Sequence, residues 1–224
     1  MSICALIPAY NEAETIGSVV RGALDHVSSV LVVDDGSNDG TAEAAEAAGA
    51  TCLLQVSNQG KGAAVRRGLA HLCDCAFSHV LFMDADGQHR PDEIPSLVKT
   101  ALQTGADIVI GARNFDKRLM PAERHFSNSV GSKLASRLAG TTVKDSQCGF
   151  RLVSLEKLRP LKLRSRKYEI EMEILLKLCR SGATVAHAPV SLVYDGGKAR
   201  SKMNPVRDTV RICFWSLFFR YFGL

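Results

Sequence analysis

The chain has 224 residues, of which 46% are hydrophobic and 23% are charged, and its formal net charge is +5. These values exclude a disordered protein and predict one large globular domain, or one domain with an appendage. Residues 1–150 hold 13 Lys and Arg against 17 Asp and Glu, a net of −4, whereas residues 151–224 hold 15 against 6, a net of +9. The acidic part suits a metal ion and the basic part suits phosphate.

The seven cysteines are odd in number and lie mostly inside apolar runs. The chain does not open with a charged segment followed by an apolar one, so a reducing cytoplasmic location is expected. Cys73 and Cys75 have no second Cys or His pair at zinc-binding spacing, which favours buried thiols over a zinc site.

Apolar runs alternate with amphipathic helical patterns through the first 113 residues. The runs predict buried strands at 2–9, 29–34, 51–56, 80–83 and 107–111, and the patterns between them predict helices at 16–27, 41–48, 61–76 and 92–104. Strands that alternate with helices of this length predict an α/β fold with a doubly wound, mostly parallel sheet flanked by helices.

The alternation weakens after Arg113. A polar loop leads to a predicted helix near Phe126–Leu138 and then to a turn-rich segment, TTVKDSQCGFR. A helix over Glu169–Ser181 and a strand from Thr184 follow. The next segment, YDGGKARSKMN, carries almost no apolar side chain and is expected to be a mobile loop.

Two carboxylates follow the predicted strand at 80–83. Asp84 and Asp86 flank a small residue, Ala85, and Gly87 comes next, so both carboxylates and the backbone could approach a metal ion and a diphosphate. The alternative is a helix cap or an Asx turn before Pro91.

Other polar residues follow further strands and precede helices. Asp34 and Asp35 come before Gly36, where turn chemistry is a fair alternative for Asp34 but not for the pair. Lys61 lies in a glycine-rich turn that opens a helix, a position that suits an anion. The turn lacks the span and the Ser or Thr of a P-loop.

Residues 205–224 form a separate predicted unit, an amphipathic helix with a dense aromatic run. Spanning a bilayer takes about 20 apolar residues, and this run has about half that length and contains Arg220. It can therefore lie on a membrane surface but cannot cross a membrane. The alternative is that the helix packs on the rest of the chain, at 1–204, or pairs with a second copy.

Six motifs come in the order and approximate spacing found in family 2 glycosyltransferases of the GT-A (nucleotide-diphospho-sugar transferase) fold: IPAYNEAETIG, VVDDGSNDGT, NQGKG, DADGQH, DSQCGFR and EIEMEI. The resemblance covers nearly the whole chain. Within the family, the chain is most similar to dolichol-phosphate mannose synthases and related polyprenyl-phosphate glycosyltransferases, because IGAR is followed by a second Arg, a Ser and a late S-K loop.

The resemblance implies which residues bind the nucleotide diphosphate sugar. A Mg²⁺ or Mn²⁺ ion would be held by Asp86 with Gln88, and Asp84 would orient the sugar or bind the ribose. Arg200 and Lys202 would close over the diphosphate, although a solvated basic loop is an equal alternative. The implied donor-binding set is Pro8, Tyr10, Glu12, Asp35, Lys61, Asp84, Ala85, Asp86, Arg200 and Lys202.

The resemblance also implies an acceptor phosphate site formed by Arg113, Arg124 and Ser127, because guanidinium groups bind phosphate bidentately. A lipid phosphate acceptor is already ionised and needs no general base. A saccharide or protein hydroxyl would need one, and Asp145 or Glu171 is then the candidate. Both acceptor classes stay open, as does a catalytically silent subunit that only binds a nucleotide sugar.

The expected partners are a GDP- or UDP-sugar donor, a polyprenyl or dolichyl phosphate, and the membrane surface through the C-terminal helix. The expected location is the cytoplasmic face of a membrane, as a peripheral protein, with a membrane partner subunit or a second copy possible. No nucleic-acid partner is expected. Nothing in the sequence separates guanine from uracil or mannose from glucose.

Overall fold

The computed structural model describes residues 1–113 and 122–191, together with Arg211, Phe214, Trp215 and Phe218, while the side chains of 122–128 lie outside the described part. Its strands are β1 Ile3–Ala9, β2 Ser29–Asp34, β3 Thr51–Leu54, β4 His79–Phe82, β5 Ile108–Arg113, β6 Arg151–Ser154 and β7 Val185–Val190. They form one sheet in the order β3-β2-β1-β4-β6-β5-β7. Only β6 is antiparallel to its neighbours, β4 and β5, so the predicted mostly parallel sheet is confirmed.

Helices cover both faces of this sheet. They are α1 Ala13–Leu24, α2 Thr41–Ala47, α3 Lys61–Leu72, α4 Ile94–Thr104, α5 Ala122–Ala139, α6 Leu155–Leu158 and α7 Ile170–Arg180. One layer contains α1, which packs on α2 and on the 3₁₀ turn Pro91–Glu93 that leads into α4. The other layer contains α3, α5 and α6, which all contact α7.

The core lies on both sides of β1, which is buried from Ile3 to Ile7 between β2 and β4. Gly68 of α3 allows that helix to lie directly on β1 and β2, because a Cβ at this position would be 2.3 Å from Leu6 Cδ1 and 3.1 Å from Val33 Cγ2. This close packing places the first residue of α3, Lys61, near the carboxyl ends of the central strands.

Two features of the structure differ from the sequence-based expectation. The segment that ends in Arg151 was expected to be turn-rich, but Arg151 begins β6, a central strand of only four residues. The third helix ends at Leu72 rather than near residue 76, and Cys73 is exposed rather than buried. The other described cysteines are free thiols that are buried or partly buried, as predicted.

The described residues of the C-terminal segment pack against the rest of the protein. Arg211 Nη2 lies 2.9 Å from Glu169 Oε1, and Trp215 and Phe218 pack against the hydrophobic core. Phe214 is 64% exposed. The boundary predicted at residue 204 lies outside the described residues. Within the described ranges, no helix is both long and apolar enough to span a bilayer.

We expect Gly68→Ala to lower the free energy of unfolding by about 1–3 kcal/mol, because the added methyl group forces α3 away from β1. Gly17→Ala is the matched control, since a Cβ at that helical position meets its nearest atom, Arg21 Nη1, at 3.5 Å. The control should gain about 0.5–1 kcal/mol. Urea unfolding of both variants tests this, and equal midpoints would contradict the close packing of α3.

Candidate active site

An open cleft of about 360 Å³ lies at the carboxyl ends of β1, β2 and β4. Its lining includes all eight predicted donor-binding residues that fall in the described ranges, namely Pro8, Tyr10, Glu12, Asp35, Lys61, Asp84, Ala85 and Asp86. Asn58, Lys167 and Tyr168 also line the cleft and were not predicted. The two other predicted donor-binding residues, Arg200 and Lys202, lie outside the described residues.

The two aspartates at the end of β2 have different roles. Asp34 Oδ1 accepts hydrogen bonds from the backbone and the hydroxyl of Ser37, at 2.9 and 2.5 Å, which is turn chemistry. Asp35 instead accepts the backbone N–H of Gln59 and of Gly60, both at 2.8 Å. Its carboxylate therefore fixes the turn that leads into Lys61, on the floor of the cleft.

Lys61 joins two carboxylates that are far apart in sequence. Its Nζ lies 2.5 Å from Asp84 Oδ1 and 2.6 Å from Glu171 Oε1, so the start of α3 is bridged to the loop after β4 and to the first turn of α7. Burial alone would lower the pKa of Lys61, but the two negative charges outweigh burial and raise it. The ammonium is therefore charged throughout the physiological pH range.

Two glycines make this bridge sterically possible. A Cβ on Gly149 would lie 3.1 Å from Asp84 Oδ2 and 3.3 Å from Lys61 Nζ. A Cβ on Gly62 would lie 2.7–2.8 Å from backbone atoms of residues 165–167. The glycines of the NQGKG and DSQCGFR motifs thus let three backbone segments converge on one ammonium group.

Asp84 is held as an anion beside a neutral histidine. Burial opposes its ionisation, but the charge of Lys61, joined by that of His89 once this ring is protonated at low pH, outweighs burial and lowers the pKa of Asp84 to about 2. His89 stacks on Phe150 with ring centroids 5.1 Å apart, and its Nδ1 accepts the Asp84 backbone N–H at 3.0 Å. Burial lowers the pKa of His89 to about 4, so the ring is neutral at pH 7 and carries its proton on Nε2.

The surroundings of Asp86 make its carboxyl group harder to ionise. Burial, followed by the charge of Asp84, raises its pKa to about 6. Its Oδ1 accepts the Gln88 backbone N–H at 3.0 Å. An anion that is destabilised in this way gains from a nearby cation.

The cleft fits a hard divalent cation that takes part of its ligands from a substrate. The donor atoms of Asp86 and Gln88 are oxygens, which Mg²⁺ and Mn²⁺ prefer. In the described ranges, no three His, Cys, Asp or Glu residues come together in a metal-binding arrangement. An ion held here would therefore complete its coordination with phosphate oxygens and water, as Mg²⁺ commonly does.

Arg113, the last residue of β5, forms a bidentate ion pair with Asp145. Its Nε lies 2.5 Å from Asp145 Oδ2 and its Nη2 lies 2.9 Å from Asp145 Oδ1. The Asp145 side chain is 1% exposed, and Oδ1 also accepts the Gln147 N–H at 3.2 Å. The carboxylate therefore acts as a fixed support for the guanidinium group. The side chains of Arg124 and Ser127 lie outside the described residues.

A buried arginine that sequence analysis missed holds the loop around Asp145. Arg151 is 1% exposed and donates to the carbonyl oxygens of Ser146, Cys148 and Glu171, at 2.7, 2.7 and 2.6 Å. One side chain therefore fixes both the loop that carries Asp145 and the first turn of α7. Three carbonyl acceptors cannot be recognised from sequence spacing, although Arg151 is the last residue of the DSQCGFR motif.

Comparisons with known proteins agree with this geometry. Residues 4–161 match the family model described as Glycosyl transferase family 2. The chain is 30% identical to an undecaprenyl-phosphate mannosyltransferase of Micrococcus luteus, an alignment that covers 100% of this chain and 98% of that protein. It is 28% identical to a UDP-N-acetylglucosamine–dolichyl-phosphate N-acetylglucosaminyltransferase of Methanococcus voltae, with 86% of each covered.

A solved structure supports the fold. Glucosyl-3-phosphoglycerate synthase from Mycobacterium tuberculosis, in complex with Mn²⁺ and UDP-glucose, superposes with a TM-score of 0.70 at 22% identity. The alignment covers 98% of this chain and 78% of that chain. The sheet and its flanking helices are thus those of GT-A glycosyltransferases.

We expect Asp35→Asn to weaken nucleoside diphosphate binding about tenfold or more, because the amide keeps one acceptor oxygen and turns an NH₂ group toward backbone N–H donors. Asp34→Asn is the neighbouring control, and its effect on binding should be small. Calorimetric titration with UDP and GDP in the presence of Mn²⁺ measures both. If the two variants bound equally well, Asp35 would not organise the cleft.

Proposed function

The chain belongs to glycosyl transferase family 2, and we propose that it is an inverting, metal-dependent hexosyltransferase that uses a polyprenyl phosphate as acceptor. The donor is a nucleotide diphosphate sugar bound in the cleft between Tyr10 and Asp86. The named activities of the relatives in Micrococcus and Methanococcus support a polyprenyl-phosphate acceptor.

The observation that carries this proposal is that each of the two candidate bases forms an ion pair with a cation. Both carboxylate oxygens of Asp145 accept from Arg113, and Oε1 of Glu171 contacts Lys61 Nζ. Carboxylate oxygens that already contact a cation are occupied and are not positioned to accept a proton from a hydroxyl acceptor. A hydroxyl acceptor would need a general base, whereas an acceptor phosphate arrives already ionised. The site therefore favours phosphate.

The reaction is one displacement at the anomeric carbon of the sugar. An oxygen of the acceptor phosphate forms the new bond to that carbon, while the bond to the donor diphosphate breaks on the opposite face. The electron pair leaves with the nucleoside diphosphate, so no proton is transferred and the sugar configuration inverts. Arg113, with Arg124 and Ser127, holds the acceptor phosphate in line.

The residues of the cleft orient the donor and stabilise charge. Tyr10 offers a ring face to the base, and Asp84, fixed by Lys61 and His89, accepts from sugar or ribose hydroxyl groups. Asp86 and Gln88 would hold a divalent ion, which when bound supplies positive charge to the leaving diphosphate. Counted together, Asp84, Asp86 and Glu171 leave an excess of two negative charges over Lys61 when all are ionised, which one divalent cation balances.

The proposal covers more than one class of sugar donor. Relatives in the comparison are named for mannose and for N-acetylglucosamine transfer, so GDP-mannose and UDP-sugars are both candidates. The protein would work as a peripheral protein at the cytoplasmic face of a membrane, where the lipid phosphate is exposed. A membrane partner subunit or a second copy fits the same location.

The experiment is a panel of GDP- and UDP-sugars tested against undecaprenyl phosphate and dolichyl phosphate. We expect lipid-linked product with at least one donor. Transfer to a soluble saccharide or protein with no lipid product would instead support the hydroxyl-acceptor alternative. Donor binding without turnover across the panel would support a catalytically silent subunit.

Arg113→Ala should raise the KM for lipid phosphate about tenfold to a hundredfold, because a lost guanidinium–phosphate contact costs roughly 1.5–3 kcal/mol. Arg124→Ala should act in the same direction. Asp145→Asn should also raise this KM, since Arg113 loses its ionic support, and the KM for the donor should change little. Steady-state kinetics with each substrate varied separately checks this. A loss of kcat alone in Asp145→Asn would instead indicate a general base.

Asp86→Ala should abolish turnover without unfolding the protein, because its carboxylate lines the cleft rather than the core. Chelation with EDTA should have the same effect on the wild type, and added Mg²⁺ or Mn²⁺ should restore activity. Full activity in EDTA, with no metal found by elemental analysis, would rule out the metal role of Asp86 and Gln88.

A further inference from the structure

The two helical layers carry opposite surface charge. On the layer of α1 and α2, the exposed charged side chains are mostly acidic, namely Glu14, Asp25, Glu43 and Glu46. On the layer of α3, α6 and α7, five exposed cations fall within residues 159–167, in the segment that connects α6 to α7: Arg159, Lys162, Arg164, Arg166 and Lys167. The charge imbalance seen along the sequence thus becomes a separation across the sheet.

This connecting segment is built as an extended chain with one cationic side. Its exposure alternates from residue to residue, so that Leu161 and Leu163 pack against the core while Lys162, Arg164 and Arg166 are exposed. Side chains two residues apart on an extended chain point the same way and lie about 6.5–7 Å apart. Lys162, Arg164 and Arg166 therefore form one row, called here the basic row.

The backbone beneath the basic row is fixed from inside the protein. The buried carboxylate of Glu173 accepts the N–H of Arg164 at 2.9 Å and the N–H of Ser165 at 2.8 Å. Lys177 Nζ donates to the Lys162 carbonyl oxygen at 2.5 Å. Glu173 thus binds the backbone and, through Oε1, Lys177 Nζ at 2.7 Å. Within the described ranges, no carboxylate pairs with a side chain of the basic row.

The C-terminal segment contacts the chain just after the basic row, through Arg211. Glu169, two residues after Lys167, accepts from the Lys167 N–H at 3.3 Å and from Arg211 Nη2 at 2.9 Å. Arg211 brings the C-terminal segment to this place, and Phe214 there is 64% exposed. Exposed cations together with an exposed aromatic ring are the composition of surfaces that bind the headgroup region of a bilayer.

We propose that the basic row, together with Phe214, docks the protein on an anionic lipid bilayer. Such a surface attracts juxtamembrane cations, and the attraction falls with salt. Lys167 lines the donor cleft, so docking here brings the cleft to the membrane in which a lipid phosphate resides. The inference extends the proposed function by naming the membrane surface of the protein, and it differs from anchoring by the C-terminal helix alone.

The test is sedimentation of the full-length chain with vesicles of phosphatidylcholine, with and without phosphatidylglycerol. The row variant Lys162→Gln, Arg164→Gln, Arg166→Gln removes three cations. The matched control, Arg21→Gln, Arg90→Gln, Lys99→Gln, removes three exposed cations from the opposite layer. Wild type and control should bind the anionic vesicles, and the row variant should bind on the order of tenfold to a hundredfold more weakly.

As a control for folding, calorimetry with UDP and GDP in the presence of Mn²⁺ should give the same nucleotide affinity for the row variant and the wild type. Three results would overturn the inference. They are binding of the row variant to anionic vesicles as tight as that of the wild type, equally tight binding of the wild type to neutral and anionic vesicles, and no binding of the wild type to any vesicles. Tighter binding of the row to an RNA or DNA oligonucleotide than to vesicles would assign it to nucleic acid instead. Vesicle binding is measured without a sugar donor, so a failure to transfer sugar to lipid phosphate would leave this result unaffected.

Discussion

The ammonium group of Lys61 is the point on which the site depends. Two carboxylates converge on it, Asp84 from the loop after β4 and Glu171 from the first turn of α7. Each would be costly to bury close to the other without a cation between them. Because Lys61 is the first residue of α3, the packing of that helix on β1 sets where the charge lies. The position of Asp84 in the cleft therefore follows from the packing of the core.

The same bridge connects the cleft to the loop that carries Asp145. The carbonyl of Glu171 accepts from Arg151, which also holds the carbonyls of Ser146 and Cys148 on either side of Gln147. That loop presents Asp145 to Arg113. Both carboxylates that could serve as bases are thus used to position cations, Glu171 for Lys61 and Asp145 for Arg113. An arrangement of this kind suits a substrate pair that needs charge stabilisation and alignment rather than proton transfer.

The elements of the fold and the site that could be predicted from the sequence are those marked by a pattern within one short segment. The strands β1, β2 and β4 are continuous apolar runs, and the acids at their ends had to share one edge of a parallel sheet, so the lining of the cleft was largely predictable. Strand β6 was missed because it has only four residues and opens with a charged side chain. Lys167 and Tyr168 were missed because they reach the cleft through the contact of residues 165–167 with Gly62, a contact between segments about 100 residues apart. The ion pairs of Glu171 and Asp145 likewise join distant segments, and only the folded chain reveals them.

We propose that sugar transfer here uses an ionised acceptor phosphate and no general base. The most direct measurement compares one lipid in two forms, undecaprenyl phosphate and undecaprenol, with the same nucleotide sugar and the same metal ion. We expect rapid formation of the glycosyl phospholipid and no detectable glycoside of the alcohol, because Asp145 and Glu171 are held by Arg113 and Lys61 and do not remove its proton. Comparable kcat/KM values for the alcohol and the phosphate would contradict this account.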